Sequence, residues 1–215
     1  MIHILSEELE FPSAEHSSPQ GIVAVGGDLS PDRLLLAYRS GIFPWYNEHD
    51  PIIWWSLDPR MVLYPRDLKV SKSMRPYFNQ QKYRVTFNQA FGIVIRNCKA
   101  SQRGGQEGTW ITGDIVEAYE KLHELGYAKS VEVWEGHDLV GGLYGVDLGR
   151  VFCGESMFSY KSNASKFGFI SLVKKLKELD YRFIDCQQDT QHLRSLGASP
   201  IPRKRFLKEL HEAID

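Results

Sequence analysis

The chain has 215 residues, 42% of them hydrophobic and 25% charged, with a formal net charge of -1. That balance fits a soluble globular protein and excludes a membrane span, since no apolar run approaches the ~18–20 residues required. A near-zero charge also excludes an indiscriminate nucleic-acid binder, but the charge is uneven: residues 1–65 carry -6 and residues 66–215 carry +5. Such a division permits a partner with a phosphate backbone without demanding one.

The N-terminus Met1-Ile2-His3-Ile4-Leu5-Ser6-Glu7-Glu8 has no basic region followed by an apolar one and does not read as a signal peptide. Cys98, Cys153 and Cys186 are odd in number and lack ligand spacing. They read as free thiols of a reducing cytoplasm, and neither a metal nor a cofactor is expected.

Residues 11–30 are rich in Pro, Gly and Ser and read as loop. Ser30-Pro31-Asp32 opens a helix: a hydroxyl cap, a proline in the first turn and an acid at the positive end. Leu34, Leu35 and Tyr38 give it an apolar face, and Gly41 ends it. Residues 42–65 are dense in aromatics and prolines without helical period. A boundary near residue 66 divides a small N-terminal domain, 1–65, from a larger one, 66–215. In the larger part, Asn88 is expected to cap a helix from Gln89 to about Lys99. Residues 103–108 (Arg-Gly-Gly-Gln-Glu-Gly) form a flexible loop, and Thr112 caps a helix through Leu125 closed by Gly126. Alternation over Ser130–Trp134 marks a strand, with a hairpin turn at Glu135–Asp138 and a return strand over Leu139–Val146. A third strand follows over Arg150–Phe158, then a helix over Ala164–Leu179, a strand over Tyr181–Gln187 and a closing helix over Arg203–Ile214. The predicted fold class is α+β, with helices packed on a mainly antiparallel sheet.

Gly141-Gly142-Leu143-Tyr144-Gly145 lies within a strand, where glycine marks either a bulge or a close approach of a ligand to the backbone. Glu155 and Asp185 each place a carboxylate in an otherwise apolar strand, which is costly unless paired or solvated. Either alone leaves open a structural role, bonded to backbone or to a Lys such as Lys166; together with Gln187 they point to one polar pocket. Alternation puts Asp185 and Gln187 on one face and turns Cys186 away, so a cysteine nucleophile is not favoured. Trp45, Trp54, Trp55 and Trp110 read either as stacking surfaces for nucleobases or as interdomain packing.

The chain then carries Gly26-Gly27-Asp28-Leu29-Ser30-Pro31, Gly41-Ile42-Phe43-Pro44-Trp45, Trp54-Trp55-Ser56, Asp58-Pro59-Arg60, Gly108-Thr109-Trp110-Ile111, Gly141–Gly145, Gly154-Glu155-Ser156-Met157-Phe158, Ile184-Asp185-Cys186-Gln187 and Ser195-Leu196-Gly197-Ala198, in that order. This series closely resembles bacterial leucyl/phenylalanyl-tRNA–protein transferases from about Phe11 to Leu210. The resemblance implies a C-terminal domain of acetyltransferase-like (GNAT) fold. It implies an enzyme that moves Leu or Phe, less readily Met, from aminoacyl-tRNA to proteins beginning with Arg or Lys, marking them for N-end rule degradation. It further implies that Trp45 and Trp110 hold the 3′-terminal adenosine. The amino-acid side chain would enter a pocket of Leu143, Phe152, Phe169, Leu172, Leu176 and Ile184, and Glu155, Asp185 and Gln187 would form the catalytic group. Phosphate contacts are expected from Lys69, Lys72, Arg75, Lys82, Arg84 and Arg203-Lys204-Arg205. An acetyl-CoA enzyme on the same fold would need a glycine-rich entry to its long helix, which Ser162–Lys166 lacks. A non-catalytic tRNA- or peptide-binding module would not need the three polar residues together.

Overall fold

A computed structural model describes residues 2–101 and 110–214. The glycine loop at 103–108 and the Gly108-Thr109 half of one motif lie outside the described residues.

The N-terminal part forms a four-stranded sheet. Its strands are β1 (His3–Leu5), β2 (Ile22–Gly26), β3 (Phe43–Pro44) and β4 (Ile53–Trp55), in the order β1-β2-β4-β3. Helix α1 (Pro31–Arg39) starts where the sequence places it, with Ser30 Oγ accepting from the backbone N–H of Arg33 at 3.4 Å. Arg33 itself is buried. Its Nε meets Asp28 at 3.1 Å and its Nη2 donates to the carbonyls of Ser6 and Glu7, stitching the N-terminal strand to the helix. Trp54 is fully buried and donates its indole N–H to the carbonyl of Gly26, so it is core of this small sheet rather than a stacking surface.

The remaining strands form one seven-stranded sheet. They are β5 (Arg60–Leu63), β6 (Arg84–Phe87), β7 (Ala128–Glu135), β8 (Asp138–Asp147), β9 (Val151–Ser159), β10 (Phe183–Gln187) and β11 (Ser199–Ile201), in the order β11-β5-β10-β9-β8-β7-β6. Every neighbouring pair is antiparallel except β9 and β10. The α+β class with a mainly antiparallel sheet is therefore what the chain adopts. Strand β5 precedes residue 66 yet belongs to this larger sheet. Its four buried residues have no alternation to betray a strand covered on both faces.

Among the described residues, besides two helices of five residues, α2 (Arg75–Asn79) and α6 (Gln191–Ser195), five longer helices pack on the sheet, which separates two apolar cores. On one face α1, α3 (Phe91–Ala100), α4 (Gly113–Glu124) and α7 (Arg203–Ile214) cover Tyr144, Val146, Val151, Cys153 and Phe183. On the other, α5 (Ala164–Glu178) covers Val131, Val133, Leu143, Phe152 and Ile184. Successive strand residues thus serve opposite cores. Gly145 has its reason here: a Cβ would lie 2.2 Å from the Cys153 carbonyl oxygen, because β8 and β9 are pressed together at an irregularity in their pairing.

Thr112 caps α4 as expected, its hydroxyl accepting from Ile115 N–H at 3.2 Å. The expected Asn88 cap is corrected. Asn88 has a left-handed backbone (φ 58°) and its side chain accepts from Ser130 N–H at 2.9 Å, so α3 begins later, at Phe91. A strand residue takes over the capping role. Glu132, fully buried on β7, accepts from Ala90 N–H at 3.3 Å and from the hydroxyls of Thr86 and Ser130, both at 2.6 Å. Replacing Glu132 with Ala leaves two buried hydroxyls and the half-buried Ala90 N–H without their acceptor. Glu132→Ala is expected to lower unfolding free energy by about 3 kcal/mol in urea titrations, while Thr86→Val, which removes one donor of the set, costs about 1 kcal/mol.

Candidate active site at two strand bulges

The polar residues singled out in the sequence lie at two irregularities on neighbouring strands. Along β8 and β9 the pairing steps from Tyr144–Ser156 to Gly145–Gly154, leaving Glu155 as an extra residue. Along β5 and β10 it steps from Val62–Asp185 to Met61–Gln187, leaving Cys186 as the extra one, with Gln187 at φ 59°. Such bulges re-aim side chains and end pairing. The parallel β9–β10 ladder indeed runs only from Val151–Phe183 to Cys153–Asp185. Beyond it the strands part, and the side chains of Glu155 and Gln187 meet in the gap. Gln187 Nε2 donates to Glu155 Oε1 at 2.8 Å.

Asp185 takes a different direction. Its carboxylate receives two parallel bonds from Arg60, Nε to Oδ1 at 2.8 Å and Nη2 to Oδ2 at 2.7 Å, with both side chains only 1% exposed. The guanidinium lies between the rings of Phe43 and Phe206, 4.7 and 4.6 Å from their centroids. Asp185 Oδ1 also accepts the backbone N–H of Gln187 at 3.0 Å, so the ion pair pins the bulge from behind. Alternation would have put Asp185 and Gln187 on one face and Cys186 on the other. The bulge breaks that rule, and Cys186 and Gln187 both face the cavity. Burial pushes the Cys186 thiol well above its ordinary value, which removes it as a nucleophile at neutral pH.

Glu155 is half-buried. Burial pushes its carboxyl up to about 7, against the opposing pull of hydrogen bonds from Tyr38 and Gln187; Asp185 adds to the rise and Arg60 offsets it. No ion pair involves Glu155 among the described residues, so when ionised it is the uncompensated charge of the site. Tyr119 Oη donates to Glu155 Oε2 at 3.4 Å and is hydrogen-bonded to Tyr38 Oη.

A cavity of about 240 Å³ opens beside this group. Its apolar wall includes Leu143, Phe152, Phe169 and Ile184, its mouth Trp45 and Trp110, and its polar side Glu155, Gln187, Gln188, Thr190 and His192. Six of the eight expected binding residues therefore share one cavity. Leu172 and Leu176 lie behind its wall, in the same apolar core as Leu143 and Phe152. Sequence reasoning missed Arg60, Tyr119 and Tyr38 as parts of the site. Helical spacing places Tyr38 on an apolar face, and only a knowledge of which strands adjoin places Arg60 opposite Asp185. The expected phosphate contacts divide. Arg203 is half-buried and bonds the carbonyl of Ser56 and the hydroxyl of Ser17, whereas Lys69, Lys72, Arg75, Lys82, Arg84 and Lys204 are exposed, as is Arg205, which pairs with Glu209.

Residues 62–211 match the family described as Leucyl/phenylalanyl-tRNA protein transferase, and residues 27–58 match the N-terminal domain of the same family. The chain belongs to this family. A relative from Christiangramia forsetii, named leucyl/phenylalanyl-tRNA–protein transferase, is 58% identical over 97% of this chain and 100% of its own length. Relatives of the same name from Flavobacterium psychrophilum (56%, 97% of this chain and 99% of that one) and Maridesulfovibrio salexigens (53%, 100% and 90%) match similarly. Among solved structures, a GCN5-related N-acetyltransferase from Kribbella flavida is a distant likeness, with 8% identity and a TM-score of 0.38 over 79% of this chain and 60% of that one. Among the described residues, no helix is long and apolar enough to cross a membrane.

The two carboxylates are expected to separate in stability measurements. Asp185→Ala leaves Arg60 buried and unpaired and should cost about 3–5 kcal/mol in urea unfolding. Glu155→Gln should behave otherwise. A carboxyl raised from 4.5 to about 7 on folding contributes stability that is full below pH 4.5 and lost as pH rises through 7. The Gln variant should therefore match the parent protein near pH 5 and exceed it at pH 8.

Proposed function

We infer that this family member is an aminoacyltransferase that moves Leu or Phe, and less readily Met, from aminoacyl-tRNA to the N-terminal amine of proteins beginning with Arg or Lys, marking them for N-end rule degradation in the cytoplasm. The observation that carries the reading is the Gln187–Glu155 pair set at the edge of an apolar cavity whose mouth holds Trp45 and Trp110.

Each part has a task. The apolar wall of Leu143, Phe152, Phe169 and Ile184, backed by Leu172 and Leu176, takes the donor side chain. Aliphatic and aromatic side chains differ there only by packing, which discriminates by about 1–3 kcal/mol per methylene, so donor choice is loose. Trp45 and Trp110 stack on the terminal nucleoside. The ester is already activated; the enzyme must hold a neutral amine against its carbonyl carbon and handle one proton. Because Gln187 Nε2 is committed to Glu155, its amide oxygen is left to accept from the attacking amine and aim the nitrogen lone pair. Glu155 takes the proton as the C–N bond forms, and the departing 3′ oxygen recovers one as the C–O bond breaks. A carboxyl near 7 suits this exchange, being ionised enough to accept and acidic enough to return the proton. Asp185 acts through the Arg60 pair and the Gln187 N–H, holding the bulge in place. The negative charge of Glu155 also favours a cationic acceptor end, and the exposed Lys69, Lys72, Arg75, Lys82 and Arg84 are suited to tRNA phosphates.

Incubation with Phe-tRNA or Leu-tRNA and a peptide beginning with Arg should add one residue, seen by mass spectrometry, with no addition to a matched peptide beginning with Ala. Addition to neither would overturn the reading. In the same assay, Glu155→Gln and Gln187→Ala should each lower kcat/KM by about 100-fold or more. The rate of the unsubstituted protein should rise with pH through about 7 as Glu155 ionises, and rise again near 8 as the α-amino group of the acceptor loses its proton. Glu155→Gln should abolish the lower step and keep the upper one.

A further inference from the structure

We propose that Tyr38 and Tyr119 form a fixed chain of hydroxyl donors ending on Glu155, making them positioning residues through which the N-terminal unit holds the orientation and charge state of that carboxylate. The proposal rests on the reading of Glu155 given above and extends it to two side chains that touch no substrate.

The two rings arrive from different parts of the molecule. Tyr38 comes from α1, in the N-terminal unit, and Tyr119 from α4. Both are essentially inaccessible to solvent. Tyr119 is packed edge-on against the Tyr144 ring at 5.7 Å, which fixes its plane. Their hydroxyls bond each other, and Tyr119 Oη lies 3.4 Å from Glu155 Oε2. A phenol carries one proton. Whichever tyrosine gives its proton to the carboxylate, the other gives its own to that tyrosine, so in either order the chain runs towards Glu155. Burial and the neighbouring carboxylate hold both phenols protonated far above neutrality, so each keeps a proton to donate whenever Glu155 is ionised.

The consequence is directional. Oε1 is held by Gln187 and Oε2 by the tyrosines, so the carboxylate plane is set from both sides. Donation to an ionised carboxylate favours that form, so the tyrosines oppose the effect of burial. Without them a smaller fraction of Glu155 would be ionised at neutral pH and able to act as a base. The other groups acting on Glu155 or its partners are Asp185 and Arg60, which are paired with each other, the buried Cys153 thiol on the same strand, and Tyr144 behind Tyr119. None of these is removed by substituting Tyr38 or Tyr119.

The test is a carbon-13 NMR titration of the Glu155 side-chain carboxyl in the full-length protein without substrate, the signal being assigned by its loss in Glu155→Gln. Tyr119→Phe and Tyr38→Phe keep the rings and remove the hydroxyls. Loss of one donor of ordinary strength should move the inflection upward, so that the ionised fraction of Glu155 at pH 6 falls about five-fold. The lower step of the pH–rate profile should move with it in both variants. An unmoved Glu155 inflection in both, even with a lowered melting temperature, would show that the tyrosines only pack, and would overturn the proposal. Because the titration needs no turnover, it stands apart from the aminoacyl-transfer assay, whose failure would strike the function instead.

Discussion

The architecture of the site depends on one buried ion pair. Arg60 and Asp185 lie on adjacent strands with almost no exposure, joined by two parallel hydrogen bonds and clamped between Phe43 and Phe206. Burying two charges is expensive, and a well-packed apolar pair would often serve stability as well. What the pair provides is direction. Asp185 has a lone pair left for the N–H of Gln187, and that bond fixes a residue whose left-handed backbone an ordinary strand would not hold. Phe43 comes from β3 of the small sheet, Phe206 from α7 and Arg60 from the start of β5 in the large sheet. The pair therefore gathers distant segments beneath the bulge.

Two bulges side by side do something that one cannot. A single bulge would turn one side chain into a ladder that remained closed. With irregularities on both β9 and β10, the parallel pairing ends after three residues, and the strands separate just where Glu155 and Gln187 turn inwards. The cavity is the space this parting leaves, floored by side chains that belong to the α5 core. Glycine at 145 lets β8 follow the distortion without colliding with β9.

Much of this was legible in the sequence, for identifiable reasons. The helices α1 and α4 were bounded by their hydroxyl caps, and β7 and β8 by alternation and a turn, because those signals are local. Glu155, Asp185 and Gln187 stood out because polar residues in apolar strands demand a partner. What alternation could not show was the partner's direction. It treated Asp185 and Gln187 as equivalent, whereas one faces Arg60 and the other the cavity, and it turned Cys186 the wrong way. The Asn88 cap failed because a carboxylate 44 positions later in sequence, Glu132, satisfies the helix instead. Leu172 and Leu176 have the right spacing for the apolar face, but spacing does not tell the surface of a cavity from the layer behind it.

The sheet that divides the two cores also divides the enzyme's adaptable parts from its fixed ones. Phe152 and Ile184 point to the α5 side, where they form part of the apolar wall of the cavity, while Cys153 and Phe183, their immediate neighbours in sequence, point to the side of Tyr38 and Tyr119. Substitutions among the wall residues can resize the cavity while Tyr38 and Tyr119 beneath Glu155 keep their packing. If the cavity takes the transferred side chain as proposed, a lineage could drift in that amino acid without rebuilding the hydroxyl chain, because the backbone of one strand insulates the two.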